Sequence, residues 1–527
     1  MICVSFENMS IPAKRACDAC HRRKVRCNNN QPCGNCSQAG LTCTYDAIPQ
    51  KKGPKGSRAK VISELKETQK QTDLGQTSQS CRSSGSPPSS PTFGGAFNLL
   101  TNELVESCTE FFFLHMYPTM PVLYREQLGQ AVAEMGHSVE AYCLITSLCA
   151  FMLIQPGIML KISPILDAAP GSFTNPKLGS ILMDEAVRVR KCYDYVENPS
   201  VTTCITSFFL FGCCFGLHKH NNGWLHLRDA TALAQILGMQ DESTYAFDDI
   251  IETSRKRRLF WLLFVTERAY ALQKHRPLTL HATIGLPTLG QDSSLAGFIH
   301  LVNLYRPFDD NFIGLWNKSR TDCSPFTVTR LQQQLTEALP AFLNTTESQA
   351  ADLRTSQQWL RTLVWQLSIA NGFLSSTSPD TSMTFRFPIE IAKDLVAVTT
   401  QFSKQSMEVH GIGLIEKVFD VACTLIDVMS CVPLSSQTFE PGPQEHLNQL
   451  LTLISTLRGG ESRYLPLIME KIRDTLPAIL SALPPDLVNK MANKGVEKSH
   501  SQHGSNSGSA GSSPYSTPPF LHFYPLA

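Results

Sequence analysis

Long uninterrupted apolar runs are the first feature that this 527-residue chain lacks. Its most apolar stretch, residues 142–160, is broken by Gln155, Pro156 and Gly157, whereas a membrane-spanning helix needs about 20 consecutive apolar residues. Only residues 1–6 are mildly apolar at the N-terminus, and no longer apolar segment follows them, so no secretory leader is expected. The sequence therefore predicts that a membrane is not a partner of this protein.

Catalytic signatures are also missing. The chain contains no phosphate-binding glycine loop, no G-x-S-x-G nucleophile elbow and no H-E-x-x-H helix. His218, His220 and His226 offer nitrogen ligands near Trp224, but residues 221–223 are expected to interrupt a single helix face, so no metal site is expected there. We therefore expect that the protein is not an enzyme.

An excess of charge of one sign is absent from the chain as a whole. Its 46 Lys+Arg and 45 Asp+Glu leave a net charge of +1. Residues 14–70 nevertheless hold 13 basic and 4 acidic residues, and the rest of the chain holds 33 basic and 41 acidic residues. A basic segment joined to a mildly acidic remainder predicts that this segment binds a polyanion.

Evenly spaced cysteines, which are typical of a disulfide framework, are missing as well. Of 18 cysteines, six fall within residues 17–43, and several of the others lie in apolar runs where cysteine behaves as a small core residue. We therefore expect a reducing compartment. The scattered cysteines are Cys3, Cys81, Cys108, Cys143, Cys149, Cys192, Cys204, Cys213, Cys214, Cys323, Cys423 and Cys431.

The six clustered cysteines form a duplicated motif. The spacing C-x2-C-x6-C occurs twice, which predicts two short helices, each opened by a C-x2-C pair and related by pseudo-two-fold symmetry. Two tetrahedral Zn²⁺ sites need eight bonds, which six thiolates supply only if two sulfurs are shared. The duplicated spacing disfavours the alternatives, redox-active thiols or one structural zinc in a protein-interaction module. The predicted metal ligands are Cys17, Cys20, Cys27, Cys33, Cys36 and Cys43.

These cysteines and the basic residues among them resemble the fungal Zn2Cys6 binuclear-cluster family. The resemblance implies a DNA-binding domain over residues 13–46 with two Zn²⁺ ions as its cofactor. It also implies that Cys17 and Cys33 bridge the two ions and that the other four cysteines are terminal ligands. Pro32 can take the place of the proline that the family has between the two halves.

The two halves of the motif differ in charge. Residues 21–26 are mostly basic, whereas residues 37–42 have no charge, so only the first half is expected to face double-stranded DNA. Near the C-terminal end of a short helix, Arg23 and Lys24 would point at the major groove, where such cations donate to guanine O6 and N7. The residues expected to contact phosphates, which position the protein without specifying sequence, are His21, Arg22 and Arg26.

The resemblance also assigns the base contact. Lys24 matches the base-reading lysine of the family, and Arg23 matches its neighbour. This correspondence implies recognition of a CGG-type triplet.

Residues 47–98 are predicted to be a basic linker followed by a flexible tether. Prolines and glycines at residues 49–56 disfavour regular structure, while Lys51 and Lys52 are expected to follow DNA phosphates. Residues 61–71 are compatible with a helix but offer barely one heptad, whereas a convincing coiled coil needs about three or four. The sequence is therefore compatible with two alternatives: a homodimer formed through this segment, and a monomer that binds a single triplet.

Residues 99–483 have helical periodicity and no alternating strand blocks, so a large all-α domain is predicted. Apolar residues recur every three or four positions before Gly238, and again after the basic residues at 255–258. These two predicted core stripes are Trp224, Leu227, Ala230, Ala234 and Leu237, and then Phe260, Leu263 and Phe264. The charged residues expected to form one ion-pair network beside them are Arg257, Arg258, Glu267 and Arg268.

The order of these features resembles the fungal-specific transcription factor regulatory domain, over about residues 100–430. Segments 223–239 and 255–280 are the parts that match its central helix pair and its signature helix and turn. Within that family, residues 260–277 are most similar to activators of sugar utilisation, and related regulators control secondary-metabolite clusters. The tail, residues 484–527, is predicted to be disordered, with aromatic and leucine residues that would dock on coactivators or the transcription machinery.

The sequence thus predicts a nuclear, zinc-dependent, sequence-specific regulator of RNA polymerase II transcription that binds CGG-type triplets. We expect an activator of a carbohydrate-utilisation or secondary-metabolite gene set. The alternative is an interaction adaptor, recruited by other regulators, whose zinc domain only stabilises its own fold. The four basic residues between Cys20 and Cys27 favour the DNA-binding protein.

Overall fold

The computed structural model describes residues 16–45, 99–155, 174–246, 249–289, 292, 294–431, 442–484 and 487. The chain divides into two compact units, Met1–Ser89 and Ser90–Ala527. Several predictions fall on other residues: Lys51 and Lys52, the candidate coiled coil at residues 61–71 and the aromatic end of the tail lie outside the described part of the chain.

Two short helices, α1 (Asp18–Arg23) and α2 (Gly34–Ala39), make up the described part of the first unit. Each begins directly after the first cysteine of a C-x2-C pair, as the duplicated spacing predicts. Asp18 lies in the first turn of α1, and basic residues lie in its last turn. Charges of these signs at these two ends interact favourably with the helix dipole. The structure therefore confirms the pair of short helices.

All the regular elements among the described residues of the second unit are helices, which confirms the predicted all-α class. Eight of its helices begin at a serine, threonine or aspartate whose side-chain oxygen accepts a backbone N–H of the first turn, the usual N-cap. These capping residues are Thr101, Ser138, Ser200, Asp249, Asp309, Ser324, Thr346 and Ser403.

The helices of the second unit surround two hydrophobic cores. The first core is built mainly by α3 (Asn102–Phe111, continued by a π-helical turn at Phe112–Met116), α4 (Arg125–Glu134), α5 (Val139–Ile154), α6 (Asn175–Arg190), α7 (Val201–Gly216), α8 (His220–Ile236), α9 (Ile250–Lys274), α10 (Leu295–Tyr305), α11 (Asp310–Trp316), α12 (Pro325–Glu337) and α13 (Glu347–Ala370). The second is built by α13, α14 (Phe387–Thr399), α15 (Lys404–Glu408), α16 (Gly411–Cys431), α17 (Pro443–Thr456) and α18 (Gly460–Thr475). Short 3₁₀ turns lie at Glu242–Ala246, Thr381–Met383 and Pro477–Ala482.

Helix α5 is the most buried helix of the first core, with every residue from Ala141 to Ile154 buried. Helices α6 and α7 pack against it through glycines: a Cβ built on Gly179 or Gly216 would lie 2.7 or 2.6 Å from Ile154, and one on Gly212 would lie 2.4 Å from the Phe151 ring. The absence of a side chain at these positions is what allows the helices to approach so closely.

Among the described helices, none is by itself long and apolar enough to cross a membrane. Helices α4 and α5 meet the criteria of length and composition only as a pair, which is bent by 116°.

Both predicted core stripes face the first core. Leu227, Ala230 and Ala234 of α8 are fully buried, and Gly238 ends that helix with a φ of +68°. Residues of the α9 stripe are also inaccessible: Phe260, Leu263 and Phe264 are each 0% exposed.

The start of α8 corrects one expectation. Residues 221–223 lie inside the helix and do not interrupt it, because the backbone N–H of Gly223 donates to the carbonyl of Lys219 at 2.8 Å. Gly223 is buried against α7, where a Cβ would lie 3.5 Å from the Cβ of Cys214. Packing against α7 thus overrides the low helix propensity of the Asn-Asn-Gly segment.

The ion pairs of α9 correct a second expectation. The four residues expected to form the network point in different directions, because consecutive helical residues are rotated by about 100°. Each of them binds a partner outside the group, and no two of them form an ion pair with each other among the described residues. The contacts are Arg257–Glu242 at 2.6 Å, Arg258–Asp292 at 3.2 Å, Glu267–Arg228 at 3.1 Å and Arg268 to the Leu280 carbonyl at 3.1 Å.

Helix α13 belongs to both cores. Trp359 packs in the first core and donates its indole N–H to Asp420 of α16 at 2.9 Å, whereas Trp365 packs in the second core. A buried ion pair also joins α13 to α16, since the Lys417 ammonium lies 2.9 Å from Asp352 and donates to Ser356 at 2.7 Å. These contacts connect the two cores by specific polar groups in addition to apolar packing.

We predict that Gly212→Ala destabilises the second unit by about 1–3 kcal/mol, because the new methyl group overlaps the Phe151 ring. Gly129→Ala is the matched control: it is also a helical glycine, but no atom lies within 4 Å of its Cβ position, so this variant should gain up to about 1 kcal/mol from helix propensity. Urea unfolding followed by circular dichroism measures both changes. Equal effects of the two substitutions would contradict the close α5–α7 packing.

We also predict a pH-dependent contribution from Asp352. Burial would raise the pKa of this carboxyl from its ordinary 3.8, but the charges of Lys417 and His410 and its hydrogen bonds lower the pKa to about 2. A group whose pKa is lower in the folded state stabilises the fold above its unfolded pKa and loses this contribution as the pH falls towards the folded pKa. The stability difference between the wild type and Asp352→Asn should therefore be largest near neutral pH and shrink between about pH 4 and pH 2.

Urea unfolding at several pH values tests this prediction. Asp322→Asn is the control, because Asp322 forms an exposed pair with Arg320 and its removal should change stability little at any pH. A constant difference between the wild type and Asp352→Asn across this range would contradict the assignment.

Candidate metal centre and nucleic-acid interface

Four cysteine sulfurs of the first unit lie within 4.8 Å of one another, and they are the only metal-ligand cluster that the described residues form. The Sγ–Sγ distances are 3.7 Å for Cys17–Cys33, 3.6 Å for Cys17–Cys36, 3.5 Å for Cys20–Cys33 and 4.0 Å for Cys20–Cys36. A tetrahedral zinc with Zn–S bonds of about 2.3 Å places its sulfurs about 3.8 Å apart. The cluster therefore has the donor atoms and the spacing that tetrahedral Zn²⁺ requires.

Cys27 and Cys43 lie at the margins of this cluster in equivalent positions. The Cys27 sulfur accepts the backbone N–H of Cys17 at 3.5 Å, and the Cys43 sulfur accepts the backbone N–H of Cys33 at 3.3 Å. Cys17 and Cys33 are thus each adjacent to a sulfur of the other half and to the last cysteine of their own half.

The thiols of the cluster differ in acidity. Burial, with the hydrogen bond to Cys33, raises the pKa of Cys36 to about 12. Burial would also raise the pKa of Cys33, but hydrogen bonds from the Cys36 backbone N–H and from neighbouring thiols lower it to about 6. Several thiolates at these distances repel one another unless a cation is bound, so metal binding must release protons from the cluster.

The two halves have the same backbone geometry. The N–H of Val25 donates to the Cys20 carbonyl at 3.2 Å, and the N–H of Leu41 donates to the Cys36 carbonyl at 2.9 Å. Both helices end in the left-handed region, at Lys24 with a φ of 54° and at Gly40 with a φ of 61°. The repeat predicted from the spacing is therefore present in three dimensions.

The left-handed conformation of Lys24 was missed by the sequence reasoning. This region favours glycine, which occupies the equivalent position in the second half. Aligning the two halves residue by residue would have placed Lys24 opposite Gly40 and revealed it. Lys24 is therefore the C-cap of α1, one residue beyond its last helical residue, Arg23.

The basic side chains predicted to contact DNA lie on the first half, around the end of α1. Arg23 differs from the others because it is half-buried and its guanidinium donates to the Asn35 carbonyl at 3.5 Å. The amide of Asn35 in turn donates to the carbonyl of Arg26 at 2.6 Å. The basic residues that are exposed are His21, Arg22, Lys24 and Arg26.

Asn35 is a structural residue that sequence reasoning did not identify. It connects the second half to both Arg23 and Arg26 of the first. A second connection closes the ends of the unit, where Asp18 and Thr44 exchange a backbone hydrogen bond at 2.8 Å and a side-chain hydrogen bond at 3.0 Å. These contacts connect the two halves of the unit beside the cysteine cluster and fix the position of the Arg23 side chain.

Comparison with known families finds two matches along the chain. Residues 15–52 match the fungal Zn(2)-Cys(6) binuclear cluster domain, and residues 109–367 match the fungal specific transcription factor domain. The zinc cluster domain implies that the cysteine cluster binds zinc.

Several curated proteins are similar over most of their length. The maltose fermentation regulatory protein MAL13 of Saccharomyces cerevisiae is 26% identical over 79% of this chain and 84% of its own length. The probable sucrose utilization protein SUC1 of Candida albicans is 25% identical over 92% of this chain and 91% of its own length. The citrinin biosynthesis transcriptional activator ctnR of Monascus purpureus is 22% identical over 51% of this chain and 54% of its own length.

The matched families, and the relatives MAL13 and ctnR, are those of transcription regulators and not of enzymes. The two matched domains occur in the order predicted from the sequence, with the zinc cluster first. The chain therefore belongs to the fungal Zn2Cys6 transcription factors that carry a fungal-specific transcription factor domain.

Proposed function

We propose that this protein is a nuclear activator of RNA polymerase II transcription that binds double-stranded DNA through its zinc domain and recognises CGG-type triplets. The observation that supports this proposal is the exposed basic surface beside the cysteine cluster, on one half of a pseudo-symmetric domain whose other half is uncharged. A surface of this kind attracts DNA phosphates and fixes which half faces the duplex.

Lys24 is the proposed base-reading residue. Its position supports this role, because Lys24 is exposed and follows directly after the last residue of α1. An ammonium group donates to guanine O6 and N7, the acceptors that distinguish a G·C pair in the major groove. Arg23, held against Asn35, is proposed to support Lys24 and to contribute a second contact near the triplet.

Phosphate contacts are assigned to the remaining basic residues. Exposed cations at the edge of the recognition helix neutralise phosphates and set the register without specifying sequence. These proposed phosphate contacts are His21, Arg22 and Arg26 in the zinc domain, with Lys51 and Lys52 in the linker.

The proposed metal centre contains two Zn²⁺ ions bridged by Cys17 and Cys33. The 3.7 Å separation of these two sulfurs fits the shared edge of two tetrahedra. Cys20, Cys27, Cys36 and Cys43 would complete the two coordination spheres.

The proposed gene set is one for carbohydrate utilisation. Relatives named for maltose fermentation and sucrose utilisation match over 79–92% of the chain, whereas the relatives named for citrinin biosynthesis match over 51%. A secondary-metabolite gene set is therefore the second candidate. Homodimerisation and contacts with coactivators are proposed as the means by which the bound protein activates transcription.

We predict that the purified protein contains two zinc ions per chain and that a strong chelator unfolds the first unit, because structural zinc supplies about 10–16 kcal/mol of folding free energy in small domains. Cys17→Ala should reduce the zinc content and abolish tight DNA binding. Cys192→Ala is the control, since this cysteine is exposed and lies outside the cluster. Metal analysis and DNA-binding titrations measure both properties, and one zinc per chain would contradict the binuclear centre.

We predict that Lys24→Ala loses about 1–3 kcal/mol of discrimination between a CGG duplex and a scrambled duplex. Arg26→Ala should weaken binding to both duplexes alike and reduce its salt dependence, because a phosphate contact does not depend on sequence. Thr42→Ala is the matched control, because Thr42 occupies the position in the uncharged second half that corresponds to Arg26 in the first. Fluorescence anisotropy at several salt concentrations separates these effects.

Two outcomes would contradict the base-reading role. In the first, Lys24→Ala lowers affinity equally for matched and scrambled DNA, which would make Lys24 a phosphate contact. In the second, the wild type binds a CGG duplex no more tightly than a scrambled duplex, which would favour the interaction adaptor as the function of this protein. Lys24→Gly distinguishes side-chain chemistry from backbone conformation, since glycine adopts the left-handed region without strain.

A further inference from the structure

Asn35 joins the second half of the zinc domain to the residues on either side of Lys24. Its side-chain amide donates to the Arg26 carbonyl at 2.6 Å, and its backbone carbonyl accepts the Arg23 guanidinium at 3.5 Å. Asn35 is exposed, as are Lys24 and Arg26. One residue of the uncharged half is therefore in contact with the segment that carries the proposed base-reading lysine.

Two other contacts between the halves are equivalent under the pseudo-two-fold symmetry, in which each residue of the first half corresponds to the residue 16 positions later. The backbone N–H of Asp18, the first residue of α1, donates to the Thr44 carbonyl at 2.8 Å. That of Gly34, the first residue of α2, donates to the side-chain oxygen of Asn28 at 3.3 Å. Each helix start is thus fastened to the residue after the last cysteine of the other half.

The hydrogen bond from Asn35 to Arg26 has no such counterpart. The residue equivalent to Asn35 is Ala19, whose methyl side chain cannot donate a hydrogen bond, and the residue equivalent to Arg26 is Thr42. The second half nevertheless forms the same backbone geometry after its helix. The bond made by Asn35 is therefore not required to build the fold, and it is confined to the segment of the basic half that follows α1.

The first half also has a local strain that the second half avoids by using glycine. Lys24 has a φ of 54°, and a residue with a Cβ keeps such a conformation only where the surrounding structure holds it. On one side of Lys24, the N–H of Val25 returns to the Cys20 carbonyl of α1 at 3.2 Å. On the other side, the amide of Asn35 holds the carbonyl of Arg26. The strained residue thus lies between two fixed points.

The exposure of this hydrogen bond decides what it can contribute. Water competes for the same groups, so the bond adds little net stability to the domain. It does fix the Arg26 carbonyl relative to α2, and with it the direction of the chain between Lys24 and Arg26. Base recognition depends on that direction, because a donor must meet guanine O6 and N7 within hydrogen-bond distance.

We propose that Asn35 is a positioning residue for DNA recognition. Its amide holds residues 24–26 so that the Lys24 ammonium meets the edge of a G·C pair in the triplet. Asn35 thereby increases discrimination between DNA sequences through Lys24 and makes no base contact of its own. This inference rests on the proposed function, since it assigns to the uncharged half a part in the recognition that the basic half carries out.

Titration of the full-length zinc-loaded protein with a CGG duplex and a scrambled duplex tests the proposal, because the ratio of the two dissociation constants measures discrimination. Asn35→Asp replaces the donating amide by a carboxylate of nearly the same shape, which cannot donate to the Arg26 carbonyl. We expect the ratio to fall about threefold to tenfold, the effect of one lost hydrogen bond. Asn35→Ala should lower the ratio similarly without adding a charge, and Ala19 shows that this helix position accepts alanine.

Asn28→Asp is the matched control. It also changes an exposed asparagine that bonds across the two halves, and it adds the same negative charge. Asn28, however, uses its side-chain oxygen as the acceptor for the Gly34 N–H, and aspartate retains such an oxygen. Both aspartate variants should bind the two duplexes more weakly because the added charge repels phosphates, but only Asn35→Asp should lower the ratio.

A double-mutant cycle with Lys24→Ala separates positioning from the other roles of an interface residue. Since Asn35 acts through Lys24, Asn35→Ala should leave the ratio unchanged once Lys24 is alanine. A direct base contact by Asn35 would lower the ratio further in that background. A purely structural role would lower the zinc content, or would weaken binding to both duplexes alike, so the zinc content of every variant is measured beside its affinity.

Three results would overturn the proposal. The first is that Asn35→Asp and Asn35→Ala keep the wild-type ratio. The second is that Asn35→Ala lowers the ratio equally with and without Lys24. The third is that Asn28→Asp lowers the ratio as much as Asn35→Asp, which would make charge the cause. A wild type without preference for the CGG duplex would reject the proposed function and this inference together, whereas the first result alone rejects only the inference.

Discussion

The zinc domain depends on one constraint: its described residues hold almost no apolar core apart from the cysteines. Five of the seven buried residues in its core are cysteines, and the other two are Ala19 and Leu41. So short a chain cannot bury enough apolar surface to offset the entropy of folding, so metal–thiolate bonds must supply the difference. The same bonds place α1 against α2, and the direction of the basic side chains follows from that placement.

The two halves of this domain share one backbone conformation, but they differ in the residue that ends the helix. Lys24 and Gly40 have nearly the same left-handed conformation, and each ends a helix that opens with a C-x2-C pair. Glycine is the residue that adopts this conformation without strain, so the backbone of Lys24 is strained at the end of α1. A side chain kept at an unfavourable position, next to exposed Arg22 and Arg26, is consistent with a residue retained for contact with a ligand rather than for stability.

In the second unit, the corresponding constraint is the shared use of α13 by two hydrophobic cores. Trp359 and Trp365 lie in different cores, and Asp352 binds Lys417 of α16. Buried ionic and polar groups of this kind add geometric specificity more than net stability. The connection between the two cores is thus made by specific polar contacts as well as by apolar packing.

Local patterns in the sequence determined the zinc-ligand motif, the pair of short helices, the all-α class and the core stripes at Leu227 and Phe260, because cysteine spacing and helical periodicity involve residues close together in the chain. Only the tertiary structure decided the rest. Residues 221–223 are helical because Gly223 packs on α7, and charged residues of α9 bind partners on other segments, such as Arg228 of α8, which lies 39 residues from Glu267. Such contacts depend on how helices pack, which a pattern along one segment does not contain.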